Sequence, residues 1–131
     1  MAARIPEEVD KLFAQAFSAG DLQALVALYE PDATLVPQQG QTVTGTAAIR
    51  EALQGFLSLC GEFRIEVKSV IPAGDLALVR SDWSLVGTAP GGCLIDLAGR
   101  GVEVVRRQPD GTWLYVIDNP FGGNQEPVPH K

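Results

Sequence analysis

The sequence is poor in the residues on which many catalytic sites depend. Its 131 residues include a single histidine, His130, and two cysteines, Cys60 and Cys93. Since that histidine is the next-to-last residue, Ser-His-Asp and Cys-His catalysis and histidine-based metal sites are excluded unless the final segment folds back over a pocket. The cysteines fit no CxxC or metal-ligand spacing, so we expect two buried, reduced thiols, no metal and no cofactor.

Basic charge and long apolar runs are also scarce. The chain has 10 Lys and Arg against 16 Asp and Glu, a net charge of -6, which would repel nucleic acid and anionic membranes. No stretch approaches the roughly 20 apolar residues of a membrane helix. No apolar signal segment follows the first residues either. We therefore expect a cytoplasmic protein with no nucleic-acid and no membrane partner.

What is present is enough apolar sequence for one core. Hydrophobic residues make up 46% of the chain, which at this length is typical of one globular domain. The last residues are rich in Gly and Pro, a composition that is typical of mobile termini. We predict a single domain over residues 1–121 and a flexible tail over residues 122–131.

The first half of the chain has apolar residues at helical spacing. A first helix near the N-terminus is predicted to bury one apolar stripe. Asp21 is expected to cap a second helix that carries Tyr29 and ends at Pro31, and Thr46 is expected to cap a third. Two short strands are predicted between the second and third helices. The stripe of the first helix comprises Val9, Leu12, Phe13, Ala16 and Phe17.

From residue 62 onward the apolar period changes from 3.6 to 2. Phe63, Ile65 and Val67 alternate with charged residues, and Gly- and Pro-containing turns separate three further strands in a meander. Gly99 and Gly101, within the longest of these strands, predict a bulge or bend that lets the sheet curl. The expected fold class is α+β: three N-terminal helices packed on a strongly curved antiparallel sheet, with an apolar pocket between the layers.

Five segments carry a family resemblance. They are FSAGDL at 17–22, LVALY at 25–29, PDATL at 31–35, GTAAIRE at 45–51 and WLYVIDN at 113–119. These segments resemble the ketosteroid isomerases and their SnoaL-like and DUF4440-type relatives in the nuclear-transport-factor-2-like (NTF2-like) superfamily. The resemblance implies the cystatin/NTF2-like cone and favours a homodimer. It leaves the activity open, because this superfamily includes isomerases, cyclases, hydrolases, dehydratases and non-catalytic assembly domains.

The isomerase machinery itself is incomplete. The resemblance places the oxyanion tyrosine of the isomerases at Phe13, which has no hydroxyl group, and their general base at Pro37. Only their protonated acid has a counterpart, at Glu103. Because positioned bases and oxyanion donors are each worth about a hundredfold in rate or more, we reject steroid isomerisation as the function.

Strand alternation, anchored by the same resemblance, predicts a different site. Glu103 and Asp118 are expected to approach one another in an apolar setting, where burial and like charge raise the pKa of one carboxyl and the pair can supply an acid and a base. In the structural alternative, Asp118 caps the last strand and Glu103 pairs with an arginine. Tyr29 and Tyr115 are expected to be packing residues. The predicted ligand-binding residues are Phe13, Phe17, Val79, Ser81, Trp83, Val105 and Val116.

Two functions remain open. The first is a SnoaL-like isomerase, cyclase or hydrolase acting on a small apolar or weakly polar organic molecule. The second is a non-catalytic, dimeric ligand-binding or assembly module. A cavity above ~300 Å³ favours the first, and a cone filled by bulky side chains favours the second. A homodimer is expected in both, because the convex sheet face would otherwise expose an apolar patch, made of Leu76, Leu78, Val102, Val104 and Trp113.

Overall fold

The computed structural model describes residues 2–59, 61–88 and 91–123. It has the predicted α+β architecture, three helices on one curled six-stranded sheet. Most of the predicted tail, residues 124–131, lies outside the described residues, and the domain boundary at 121 stays a prediction. The elements are α1 Glu8–Ser18, α2 Leu22–Val26, β1 Tyr29–Gln38, β2 Gln41–Thr44, α3 Thr46–Leu57, β3 Gly61–Ala73, β4 Leu76–Thr88, β5 Leu94–Arg107 and β6 Trp113–Asn119.

The sheet has the strand order β2-β1-β6-β5-β4-β3. Strands β3 to β6 form the predicted meander of antiparallel neighbours. One pairing was not predicted: β1 lies parallel to β6, and it joins the helical half of the chain to the last strand. The core therefore lies between the helices and the concave face of the sheet.

The two N-terminal helices differ in how well the sequence predicted them. The stripe of α1 is confirmed, with Val9, Phe13 and Phe17 all buried. Asp21 caps α2 as predicted, and its side chain accepts a hydrogen bond of 3.0 Å from the backbone N–H of Ala24.

The predicted end of the second helix is wrong. Helix α2 ends at Val26, and Tyr29 belongs to β1, which runs through Pro31. The β1–β6 register shifts between Tyr29 and Thr34, so Pro31 lies in an irregular stretch where its missing N–H costs no ladder hydrogen bond. Thr46 does not cap α3 either, since it is the first helical residue and Gly45 occupies the N-cap.

Strand alternation breaks once in β6. The β5–β6 register shifts between Val104 and Val105, which leaves Val116 as the extra residue of a β-bulge. As a result Tyr115 and Asp118 are both buried, although they are three positions apart, and Val116 is only half-buried. The prediction that Val116 faces the pocket is wrong for this reason.

The predicted bulge at Gly99 and Gly101 is absent. Strands β4 and β5 pair without interruption along their whole length. These glycines make room for neighbouring side chains, because a Cβ on Gly101 would lie 2.6 Å from Ser81 Oγ, and one on Gly99 would lie 2.7 Å from Trp83 Nε1. Both contacts are closer than real Cβ atoms show.

The convex face keeps part of its predicted apolar patch. Leu76 and Leu78 are exposed, but Trp113 is buried, so its predicted place on this face is wrong. Ile117 takes that place, since the bulge turns it outward.

Cys93 is exposed rather than buried, and Cys60 lies outside the described residues. Across the described chain, no helix is both long and apolar enough to cross a membrane.

Candidate functional site

A small cavity lies between the helices and the concave sheet face. Its volume is about 40 Å³, which is room for about three water molecules and far below the ~300 Å³ typical of ligand sites. Aromatic side chains fill most of the cone. The lining has an aromatic wall of Phe13, Phe17, Phe56, Phe63 and Trp83, and a polar group of Asp10, Tyr29, Ser81, Glu103, Tyr115 and Asp118.

Three carboxyl groups from three different elements meet at this cavity. Asp10 comes from α1, Glu103 from β5 and Asp118 from β6, and each is less than a tenth exposed. Glu103 and Asp118 are paired residues in the β5–β6 register, so the structure brings the two predicted acids together. Asp10 was not predicted.

Each carboxyl accepts a hydrogen bond from a hydroxyl group. Tyr29 donates to Asp118 Oδ2 at 2.5 Å, and Tyr115 donates to Asp10 Oδ1 at 2.5 Å. Ser81 Oγ lies 3.1 Å from both oxygens of Glu103. These hydroxyl groups orient the acids without neutralising them.

Burial shifts the pKa values of all three acids upward. For Glu103, burial together with the hydrogen bond to Asp10 and the charge of Asp10 raises the pKa to about 11. For Asp118, burial raises the pKa to about 7, although the hydrogen bond from Tyr29 opposes the shift. The pKa of Asp10 is also raised by burial, and the hydrogen bonds from Glu103 and Tyr115 oppose that shift. The environments therefore hold the pKa values of Glu103 and Asp118 well apart.

The second oxygen of Asp10 lacks an ordinary hydrogen-bond donor. Asp10 Oδ2 is buried and receives no hydrogen bond from any permanent donor among the described residues. The neighbouring acid with which Asp10 shares a hydrogen bond is Glu103, whose carboxyl is a donor only when protonated. With a pKa of about 11, Glu103 keeps its proton at neutral pH and can donate it in a hydrogen bond to Asp10, whereas a pKa of about 7 lets Asp118 titrate near neutrality.

The structural alternative for the two acids is wrong. The partners of Glu103 are Ser81 and Asp10 rather than an arginine, and Asp118 accepts a hydrogen bond from Tyr29. No lysine, arginine or histidine of residues 2–59, 61–88 and 91–123 lines the cavity. Within the same described ranges, no three His, Cys, Asp or Glu side chains are arranged to hold a metal ion.

The predicted ligand-binding residues divide into three groups. Phe13, Phe17, Ser81 and Trp83 line the cavity. Val79 and Val105 are buried on the same face of the sheet but do not reach the cavity. Val116 lies on the bulge, away from it.

Sequence reasoning missed three polar residues of the lining: Asp10, Tyr29 and Tyr115. For Asp10 a signal existed, because it stands three residues before Phe13 and seven before Phe17, on the face that α1 buries. Tyr29 was assigned to a helix that ends before it. Strict alternation along β6 places Tyr115 on the face opposite Asp118. The bulge at Val116 interrupts that alternation and brings both residues to the same face.

Comparison with known proteins agrees with this architecture. A ketosteroid isomerase-like protein from Erwinia carotovora atroseptica superposes with a TM-score of 0.77 at 23% identity, over 86% of this chain and 89% of that one. An NTF-2 like protein of unknown function from Shewanella oneidensis has a TM-score of 0.71 at 19% identity, over 86% and 93%. A conserved protein from Planctomyces limnophilus has 0.76 at 18%, over 88% and 91%.

Identities this low show the fold alone. No curated protein matches the chain in sequence. A family model does: the SnoaL-like domain matches residues 9–118, which run from the second residue of α1 to the next-to-last residue of β6 and include all three buried acids. The chain therefore belongs to the SnoaL-like domain family.

Proposed function

We propose that this protein is an acid/base catalyst that transfers a proton on a small organic molecule bound at the cavity. Asp118 acts as the general base, and Glu103 is the protonated acid of the pair. The observation that carries the proposal is a pair of adjacent buried carboxyls with pKa values of about 7 and about 11, since acids whose pKa values are held apart are typical of acid/base sites.

Asp118 is suited to the role of base for two reasons. A pKa of about 7 leaves much of it ionised at neutral pH while keeping it a strong enough base. Tyr29 occupies only Oδ2, and no described residue donates to Oδ1, so this oxygen is available to take a proton. Glu103 keeps its own proton during that transfer, so the ligand does not face a second permanent carboxylate at this position.

The cavity volume limits how a ligand can be held. About 40 Å³ accommodates the reacting group of a molecule and not a fused-ring compound. The rest of a ligand would lie against the aromatic wall, after movement of its side chains. The cavity volume therefore favours a small ligand.

Deuterium exchange into simple carbon acids tests this function. In D₂O, nitroethane and hydroxyacetone should lose their acidic C–H signals faster with the protein than without it, at a rate that rises with pH and levels off above about 7. Asp118→Asn should reduce the rate about a hundredfold. Asp96→Asn, which removes an exposed carboxyl from β5, is the matched control and should not change it. Exchange that survives Asp118→Asn, or that never exceeds the background, contradicts the proposal.

A second candidate, the non-catalytic homodimeric module, has its own support. The cone is largely filled, and one rung of the convex sheet face is apolar across four strands: Ile71 pairs with Leu78, Leu78 with Val104, and Val104 with Ile117. Three of these four side chains are exposed. We propose that a second copy of the chain covers this rung, because exposed apolar patches are typical of interfaces.

The dimer is compatible with either function. Light scattering of the purified protein should give twice the chain mass. Leu78→Arg should give a monomer, whereas Leu94→Arg, at an exposed position outside the rung, should leave the dimer intact. A monomeric wild-type protein contradicts the dimer. The cytoplasmic location and the narrower DUF4440-type assignment stay predictions.

A further inference from the structure

Every hydrogen-bond donor that lines the cavity is already used inside the protein. Tyr29 and Tyr115 donate to Asp118 and Asp10, and Ser81 donates to Glu103. Trp83 Nε1 donates to the backbone oxygen of Pro120 at 2.7 Å. The side chains of the described lining therefore have no donor left to offer a ligand.

Acceptors and negative charge, by contrast, remain available. Among the described residues neither Asp118 Oδ1 nor Asp10 Oδ2 receives a hydrogen bond from a permanent donor, and the neighbour of Asp10 is another acid, Glu103. A buried carboxylate is normally paired with a cation or coordinated, yet within the described residues no basic side chain reaches the cavity. The site therefore lacks a positive group that brings its own N–H donors.

The aromatic wall suits the same kind of group. Phe63 connects the rings of Phe13 and Trp83, with centroid distances of 5.3 and 6.0 Å. On the polar side, the rings of Tyr29 and Tyr115 are 4.9 Å apart. Ring faces attract cations within about 6 Å of their centroids, most strongly where water is excluded.

We propose that the ligand of this cavity is an organic cation with a protonated nitrogen, whose N–H groups donate to Asp118 and Asp10 while its charge lies against the aromatic wall. This inference rests on the proposed function in placing the ligand at this cavity, and it names the ligand class. It replaces the weakly polar ligand that the sequence predicts. A single ammonium head group also fits a cavity of about 40 Å³, because it is close to a water molecule in size.

Competing ligand classes fit these contacts less well than a cation does. An anion such as a carboxylate would meet three acids and no free donor. A neutral carbonyl compound such as hydroxyacetone can bring its acidic C–H group to Asp118, but its oxygen finds no free hydrogen-bond donor, so it is a weakly bound probe of proton transfer. A neutral alcohol could donate one hydrogen bond, but it would leave the carboxylate charge uncompensated.

Three molecules of equal size test the ligand class directly. Calorimetric titrations with propylammonium, 1-propanol and propionate compare a cation, a neutral molecule and an anion on the same three-carbon chain. At pH 8 propylammonium should bind at least about tenfold more tightly than 1-propanol, since each tenfold corresponds to about 1.4 kcal/mol, and propionate should give no heat. Equal binding of propylammonium and 1-propanol, or tighter binding of propionate, overturns the inference.

The pH dependence identifies the carboxyl involved. Asp118 is faced by Asp10 from α1, Tyr29 from β1, Glu103 from β5 and Tyr115 from its own strand. A cation at Asp118 must displace its proton, so the affinity should fall about tenfold for each pH unit below 7. Asp118→Asn should abolish this dependence. Affinity that does not change with pH in the wild-type protein overturns the inference.

Two further measurements separate the site from the general negative charge of the chain. Asp10→Asn should weaken propylammonium binding about tenfold, and Asp96→Asn should leave it unchanged; equal losses in both variants overturn the inference. If Asp10→Asn does not fold, the wild-type protein still decides, because bound propylammonium should lower the pKa of Asp118 by about one unit in a carbon-13 NMR titration. If propylammonium binds but the protein does not exchange nitroethane, the proposed function is wrong and the ligand class stands. If the protein exchanges nitroethane but does not bind propylammonium, the ligand class is wrong and the proposed function stands.

Discussion

The acidic residues inside the cone and those on its outer surface have the same chemistry and opposite surroundings. Three acids of the outer surface, Glu62, Glu66 and Asp75, each form an ion pair with a basic side chain, and these pairs are largely exposed. Among the described residues, the partners of the inner acids are hydroxyl groups and one another. The outer pairs are Glu62 with Arg64 at 2.8 Å, Glu66 with Lys68 at 2.9 Å and Asp75 with Arg107 at 2.5 Å.

This contrast separates acids that are hydrated and paired from acids whose surroundings shift their pKa values. Exposed ion pairs contribute little to stability, since water screens them. Buried acids without a cation lower stability at neutral pH, because the folded chain must either hold a charge in an apolar place or keep a proton that water would accept. Such a cost is typical of functional sites.

The largest expected effect comes from making Glu103 permanently neutral. Its pKa is about 11 in the folded chain against an ordinary 4.5, so the native state keeps a proton that the unfolded chain releases, and stability falls as the pH rises above about 4.5. Glu103→Gln keeps the shape and a donor toward Asp10. It should stabilise the protein by on the order of 3 kcal/mol at pH 8 and by almost nothing at pH 4.5.

Urea denaturation of both proteins at pH 4.5, 6 and 8 measures this difference. Glu66→Gln, on the outer face of β3, is the matched control and should give no comparable gain at any of the three pH values. A Glu103→Gln variant that is less stable than wild type at pH 8 would show that Glu103 is ionised in the folded chain.

A medium effect is expected from the hydroxyl group that serves Asp118. Tyr29→Phe removes the hydrogen bond that opposes the upward pKa shift of Asp118. The pKa of Asp118 should then rise by about one unit, because hydrogen bonds to charged groups are worth about 1.5–3 kcal/mol and solvent replaces part of that energy. Carbon-13 NMR titration of the carboxyl follows it.

Tyr115→Phe is the control for that measurement, since Tyr115 donates to Asp10 and not to Asp118. The pKa of Asp118 should stay near 7 in this variant. Equal shifts in the two variants would mean that the cluster titrates as one unit and that Tyr29 has no specific role.

The positions of the inner acids were predictable from the sequence only in part. Which side chains of β4 face the cavity was predictable, because Ser81 and Trp83 lie on a strand that pairs with β5 without interruption. Asp118 was predicted to face inward and does so. The intervening bulge could not be predicted, because the extra residue Val116 becomes visible only in the pairing of β6 with β5.

The composition of the site was harder to predict than its location. The parallel contact of β1 with β6 brings Tyr29 to Asp118, and a contact between positions 89 residues apart leaves no local signal. Asp10 did carry a local signal, in its spacing to Phe13. The volume of the cavity depends on how the aromatic side chains pack, which apolar periodicity does not describe.

The smallest effect is expected on the outer surface, and it completes the comparison. Glu62→Gln removes the partner of Arg64 in a pair whose side chains are 67% and 75% exposed, and exposed pairs of this kind are worth less than about 1 kcal/mol. The free energy of unfolding should change by less than that, and the change should shrink further in 1 M salt, where the screening length is about 3 Å. Urea denaturation at two salt concentrations measures it. A loss as large as the gain from Glu103→Gln would contradict the distinction between the two faces, because it would make an exposed acid as consequential for stability as a buried one.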